Sequence, residues 1–326
     1  MRSKTKYKIN TEKLKELFMT VGIDNVIDIK PLDSGEFNAV FSVKTDKKEF
    51  VIKIAPDDRA PTLAYEKGML KAELQWYSLI QEHTDIKVPE IYYSDFSRRL
   101  IPTDYFIMEK IEGQQLNKIK LSSDEKMEIT MRLPEIAQKL HTIKNNEFGY
   151  LQRLLHNDWY QAIRDMTMSL DLDARTKRKR CRYAEKLLFY IEKHKEILKK
   201  AECCMVNFDL NEANFICSRI GDSLALSLID PERSFWGDFI ADFVCIEMMN
   251  PLNKKTVSLR AYNSVSNSKI EINREIEIRY AVALCYLGVL MDVEKHFRYS
   301  PLNFGWWRNL IASKSLVATA IRSLKK

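Results

Sequence analysis

The stretch from Met205 to Phe239, MVNFDLNEANFICSRIGDSLALSLIDPERSFWGDF, constrains the fold more than any other part of the chain. Short apolar runs separated by polar breaks describe a buried β-hairpin. Folded so, a loop presents Asp209 and Asn214, five residues apart, and the end of the strand SLALSLID presents Asp230. An Asp, an Asn and a second Asp gathered this way can form one metal–phosphate site: a base for an attacking hydroxyl and two oxygen ligands for Mg²⁺. Acidic and amide residues also punctuate strand ends for local reasons, and this segment alone does not separate the two readings.

Residues 24–54 read as a three-stranded meander, DNVIDIKPL, NAVFSVKT and KEFVIKI. The first connection, Asp33-Ser34-Gly35-Glu36-Phe37, carries a glycine that permits a tight turn, and Asp46-Lys47-Lys48 forms a charged hairpin tip. Lys53 lies inside the third strand, in VIKI, where alternation puts Val51, Lys53 and Ala55 on one face and Ile52 and Ile54 on the other. A lone strand lysine is a common edge-protecting device. This one has a candidate partner. Residues 65–82, YEKGMLKAELQWYSLIQE, read as a helix whose apolar stripe Leu70, Leu74, Tyr77 includes Glu73. A carboxylate on a core-facing stripe calls for a cation, and Lys53 is the candidate. Glu66, seven residues earlier on a similar face, is the alternative partner.

Taken in order, LDSGEFNAVFSV, FVIKI, LKAELQWYSLI, IKVPEIYYSD, YFIMEKIEG, IAQKLHTI, NFDLNEANF and LIDPERSFWGD resemble the protein-kinase-like fold, and more closely the aminoglycoside phosphotransferase family of small-molecule kinases. No single piece is specific; their order and spacing over nearly the whole chain are. The resemblance implies an α+β, protein-kinase-like bilobal fold, with a small antiparallel-sheet N-lobe carrying one main helix and a larger, mostly helical C-lobe. It divides the chain into an N-terminal nucleotide-binding lobe at 1–108, a hinge at 109–113 and a C-terminal catalytic and substrate-binding lobe at 114–326.

The resemblance also implies roles. Lys53 contacts the α/β phosphates and pairs with Glu73; Ser34 and Gly35 bring backbone amides near the phosphates. The backbone around Glu109–Ile111 hydrogen-bonds adenine, with Met108 behind the base. Asp209 is the catalytic base, Asn214 and Asp230 bind Mg²⁺, and Asp242 caps a helix after the metal strand. The implied activity moves the γ-phosphoryl of ATP or GTP to a hydroxyl of a small molecule, an aminoglycoside or another antibiotic. A choline- or sugar-type metabolic kinase and a nucleotide-binding pseudoenzyme scaffold are the alternatives. The chain departs from the family's His-Gly-Asp at Asn207-Phe208-Asp209 and from its Gly-Asp-Pro at Gly237-Asp238-Phe239. The lysine, the base and both metal ligands are retained. For the acceptor, Asp158, Glu247, Asp292 and Glu294 suit an acidic pocket, and Trp159, Trp236, Trp306 and Trp307 an apolar one.

Bulk properties fit this reading. The chain has 326 residues, 45% hydrophobic and 30% charged, enough for a sizeable core. A diffuse net charge of +7 mildly favours anionic ligands such as nucleotides. The basic run Arg175–Arg180 lacks interleaved aromatics, which disfavours nucleic acid. Six cysteines without C-x-x-C spacing read as reduced core thiols of a cytoplasmic protein, and the five histidines lack metal-ligand spacing. His141 reads as a packed or capping residue. The longest apolar run, YAVALCYLGVLM at 280–291, is too short to span a membrane and reads as a core helix. Expected helices cover 11–21 opened by Thr11, 122–141 with a kink or break at Pro134, 158–200, 239–249, 272–298 and 305–324. A loop is expected at 250–270. A monomer and a dimer are equally compatible with the sequence.

Overall fold

The computed structural model describes residues 5–32, 35, 37–221, 223–248, 251–267 and 269–326. After helix α1 (Thr11–Thr20) come β1 (Val26–Pro31), β2 (Ala39–Thr45) and β3 (Glu49–Ile54), then helix α2 (Met69–His83), β4 (Ile91–Asp95) and β5 (Tyr105–Glu109). The strands form one antiparallel sheet in the order β1-β2-β3-β5-β4. Its two faces follow strict alternation. Phe50, Ile52, Ile54, Tyr105 and Ile107 pack with Leu14, Leu17 and Phe18 of α1. Val51, Phe106 and Met108 pack with Leu70, Trp76 and Tyr77 of α2. Lys53 stands on that second face, beside Phe106 in register.

The larger lobe begins with β6 (Gln114–Gln115), then α3 (Ser123–His141), α4 (Trp159–Thr176), α5 (Arg182–Lys193) and α6 (Lys195–Leu198). Strands β7 (Cys203–Val206), β8 (Phe215–Ile220), β9 (Ser223–Leu228) and β10 (Phe235–Asp238) follow, and α7 (Thr256–Val265), α8 (Arg274–Arg298) and α9 (Phe304–Lys325) close the chain. The β8–β9 hairpin extends β6, and β7 pairs with β10. Helix α8 is buried nearly all round, which explains its long apolar run. Among the described residues, no helix is long and apolar enough to cross a membrane. All six cysteines are free and buried.

Five expectations about elements need correction. The helix carrying Glu73 starts at Met69, not at 65: Gly68 takes a left-handed φ of 78°, and Ala64–Glu66 forms a separate 3₁₀ turn. Helix α1 is capped by Asn10, whose side chain accepts from the Lys13 N–H at 2.8 Å, rather than by Thr11. Helix α3 is continuous through Pro134, so the break allowed for there is absent, and a Ser122/Glu125 capping box opens it. Residues 256–265, expected as loop, form α7, which buries Leu259, Ala261 and Tyr262; tertiary burial overrides the weak helix preference of its Ser and Asn. The segment after β10 is a 3₁₀ helix only to Val244.

Candidate active site

Lys53 sits at the centre of the site. Its Nζ donates to Glu73 Oε2 at 2.7 Å, Asp230 Oδ1 at 2.5 Å and Glu232 Oε2 at 3.0 Å. The alternation of β3 and the apolar stripe of α2 put the first pair together, with side chains only 5% and 1% exposed. Burial disfavours the ammonium, yet Asp230, Glu232 and Glu73 together raise its pKa well above the usual lysine value. Burial pushes the Glu73 carboxyl up to about 8, against the opposing pull of Lys53. Glu232 is likewise raised, first by burial and then by Asp230.

Glu66 is not the alternative partner of Lys53. Its carboxylate accepts from Leu63 N–H at 2.8 Å and pairs with Arg298. The helix break at Gly68 turns it away from the α2 stripe. Burial carries its pKa to about 7.

Asp209 lies on the loop between β7 and β8. Asn214 Nδ2 donates to Asp209 Oδ2 at 3.0 Å and to its carbonyl at 3.0 Å, and Asn211 Nδ2 donates to Oδ1 at 2.8 Å. Arg233 Nε stands 3.9 Å from Oδ2. Burial raises the Asp209 pKa, and the Arg233 guanidinium opposes that rise. Asp230, at the end of β9, has a left-handed φ of 61°, and its N–H donates to the Tyr77 hydroxyl at 2.8 Å. Ile229 N–H donates to the Asn214 carbonyl at 2.9 Å, so the loop and the strand end are tied together.

The departure at Asn207-Phe208 has a physical account. Phe208 takes φ 58°, a backbone conformation that ordinarily favours glycine. It is held there from three sides. Asp242 Oδ1 accepts the Phe208 N–H at 2.6 Å, Cys245 Sγ donates to its carbonyl at 3.1 Å, and its ring packs 5.1 Å from Phe235 and 5.8 Å from Tyr286. Asn207 Oδ1 accepts the Asp209 N–H at 3.1 Å. Asp242 Oδ2 accepts the Asn207 N–H at 3.2 Å and lies 2.9 Å from His141 Nε2, whose other nitrogen is 2.9 Å from the Tyr262 hydroxyl. Contrary to the expectation, Asp242 does not cap a helix; it lies within the 3₁₀ segment and anchors the loop that carries Asp209. The cap is Asp238, which also grips Arg279 through two 2.5 Å bonds.

One cavity of about 1030 Å³ is lined by Gly35, Lys53, Glu73, Met108, Glu109, Ile111, Asp209, Asn214 and Asp230. Ser34 lies outside the described residues. The same cavity is lined by Glu232, Arg233, Glu294, Arg298 and Arg308, which sequence reading did not single out apart from Glu294. Glu232 and Arg233 were within reach, since they directly follow Asp230 in IDPER; Arg298 and Arg308 carry no local signal.

The acceptor pocket differs from both expected versions. Of the eight residues considered, only Glu294 lines the cavity. Asp158 caps α4, Asp292 holds Lys295, and Glu247 accepts from Ser258. Trp159 stacks on Phe235 at 5.6 Å, Trp236 meets Trp76 at 4.9 Å, and Trp306 packs on Trp307.

An antiparallel sheet lobe over a helical lobe, with these side chains converging between them, defines the protein-kinase-like class. Residues 28–253 match the phosphotransferase enzyme family, APH, and the chain belongs to that family. Its fold resembles choline kinase LicA from Streptococcus pneumoniae (TM-score 0.63, 16% identity, 94% of this chain and 98% of that one). It also resembles the ADP-bound aminoglycoside phosphotransferase APH(2'')-Ib (TM-score 0.59, 17% identity, 95% and 98%). The microcompartment-associated aminopropanol kinase is similar as well (TM-score 0.59, 14% identity, 96% and 98%). At these identities the likeness is one of fold. A subtelomeric hrmA-associated cluster protein of Aspergillus fumigatus is 27% identical over 139 residues, 42% of this chain. The match spans about a quarter, 27%, of that relative's length.

Proposed function

We propose that this phosphotransferase moves the γ-phosphoryl of ATP or GTP to a hydroxyl of a small molecule in the cleft between the lobes, with 109–113 as the hinge. The observation that carries the reading is the convergence of Lys53, Glu73, Asp209, Asn214 and Asp230 on one cavity. The choline, aminopropanol and aminoglycoside kinases of the same fold support a small-molecule acceptor.

The nucleotide base would lie against Met108. The Glu109 N–H is taken by the Glu90 carbonyl at 2.7 Å, so the Glu109 carbonyl and the Ile111 N–H are the groups left to meet adenine. Gly35, with φ 93°, lets the loop between β1 and β2 bring its backbone close to phosphates. Lys53, aimed by Glu73, meets the phosphates as a fixed cation.

The residues present also suit Mg²⁺. The Lys53 ammonium already fills the space between Glu73, Asp230 and Glu232, bonding Asp230 through Oδ1. An ion would therefore sit on the other side of Asp230, towards Asn214, which spends its Nδ2 on Asp209 and keeps Oδ1 for a cation. Asn214 and Asp230 would hold the ion; when bound, it supplies charge neutralisation at the phosphates.

Asp209, fixed by Asn211 and Asn214, orients the acceptor hydroxyl and takes its proton as the oxygen bonds to the γ-phosphorus. The bond to the β-bridging oxygen breaks and nucleoside diphosphate leaves. Asp209→Asn keeps size and polarity but removes the base. It should retain nucleotide binding, measured by calorimetry, and lower acceptor-dependent transfer by roughly 10²–10⁴-fold. Unchanged transfer in that variant would refute the assigned role.

A further inference from the structure

The arm of the cavity beyond Asp209 has an unexpected charge. Among the charged side chains of the lining are Arg233, which stands 3.9 Å from Asp209, Glu294, Arg298 and Arg308. The two inner arginines share one carboxylate oxygen, Glu294 Oε1, at 3.0 Å from Arg233 Nη2 and 3.1 Å from Arg298 Nη2. Arg298 reaches further, pairing with Glu66 of the sheet lobe and lying 4.7 Å from the centre of the Phe37 ring. Its side chain is only 6% exposed, and its Nη1 is buried with no hydrogen-bond partner. A buried guanidinium N–H without an acceptor is costly and points to an oxygen that the protein itself does not supply. Arg308 adds a third guanidinium at the mouth, where it meets the Tyr299 hydroxyl at 3.1 Å and Asn309 Oδ1 at 3.4 Å. Leu287 and Met291 form the apolar floor.

A polyamine-like acceptor would bring ammonium groups against these guanidiniums. Among the described residues, the acids beside these guanidiniums are already engaged: Glu66 pairs with Arg298, Asp209 stands 3.9 Å from Arg233, and Glu294 is held by both Arg233 and Arg298, its pKa lowered although burial alone would raise it. Arginine forks match planar or tetrahedral oxyanions with parallel hydrogen bonds.

We propose that the acceptor is a hydroxylated anion, a hydroxy acid or a phosphorylated polyol, whose carboxylate or phosphate is held by Arg298 and Arg308 while its hydroxyl faces Asp209. This rests on the phosphotransferase reading above. The transfer is the same: the acceptor oxygen bonds to the γ-phosphorus, the bond to the β-bridging oxygen breaks, and the proton goes to Asp209.

The test measures nucleoside diphosphate release from Mg²⁺ and ATP or GTP with a matched panel. Glycerate and glycerol 3-phosphate supply the two anions, glycerol the neutral parent, and choline and an aminoglycoside the cations. One or both anions should exceed glycerol and both cations in kcat/KM by at least ~10-fold, and their ranking separates carboxylate from phosphate. Arg308→Gln should raise KM for the preferred anion by ~10–100-fold and leave KM for the nucleotide within about twofold, with partial recovery in Arg308→Lys. Arg298→Gln should act in the same direction; because it also strips Glu66 and Glu294 of a partner, the exposed Arg308 carries the decisive test. A cation used better than either anion, no turnover with either anion, or an unchanged KM in Arg308→Gln overturns the inference. Failure of Mg–nucleotide to stabilise the acceptor-free protein instead defeats the phosphotransferase reading beneath it.

Discussion

Replacing Lys53 by Met removes the cation shared by three carboxylates and keeps most of the buried stem. Glu73 decides the outcome, because its side chain is only 1% exposed while Asp230 is 35% exposed and better hydrated. Its pKa is about 8 in the folded protein, above the ~4.3 of an unfolded glutamate. Between those values the native state holds a proton that the unfolded chain has released, so this group's contribution to stability falls as pH rises. In the wild type the decline levels off above about 8, where Glu73 ionises beside Lys53. Without Lys53, the Glu73 pKa rises further and the decline continues at ~1.4 kcal/mol per pH unit. At pH 6 the variant should lose only ~1–2 kcal/mol, mainly hydrogen bonds. At pH 9, one pH unit past the wild-type Glu73 value, the continuing decline adds ~1.4 kcal/mol, for a total loss of ~2–4 kcal/mol. Urea unfolding at both pH values, with unchanged m, measures this directly. An equal penalty at the two pH values, or a larger one at pH 6, would refute the reasoning.

Two further substitutions probe the proposed base and its support. Arg233 favours the ionised form of Asp209 against burial, so if Asp209 is the base, as proposed, activity should be lost as pH falls through its raised pKa. Arg233→Gln should move that acid limb of the kcat/KM profile to higher pH, and an unmoved limb would contradict the coupling. Asp242→Ala should cost ~2–5 kcal/mol in thermal or chemical unfolding, since the buried N–H groups of Asn207 and Phe208 lose their acceptor. Wild-type stability in that variant would show that the loop is held by other contacts.

Much of the site was legible because its geometry is local. Period-two alternation placed Lys53 on the inner face of β3, and the helical stripe placed Glu73 opposite it. The hairpin pattern placed Asp209, Asn214 and Asp230 around one strand end. What escaped depends on contacts distant in sequence. The pairing of Glu66 with Arg298 spans 232 positions, and only the left-handed turn at Gly68 makes it possible. Helix α7 was hidden because Ser and Asn have low intrinsic helix preference, while packing of Tyr262 against Phe243 and His141 holds it. The left-handed Phe208 was equally invisible, as no local rule predicts a phenylalanine there; the anchor at Asp242 explains it. The arginine-lined arm arises where α8 and α9 meet, and neither helix announces it alone.

Binding of Mg–nucleotide to the wild type and to Asp230→Ala tests the central claim most directly. Calorimetry, with thermal shift alongside, should show binding and stabilisation in the wild type. In the variant, affinity should fall by roughly a hundredfold or more, because the proposed oxygen ligand for the ion and a partner of Lys53 are both gone. Equal affinity and equal stabilisation in the two proteins would contradict the account.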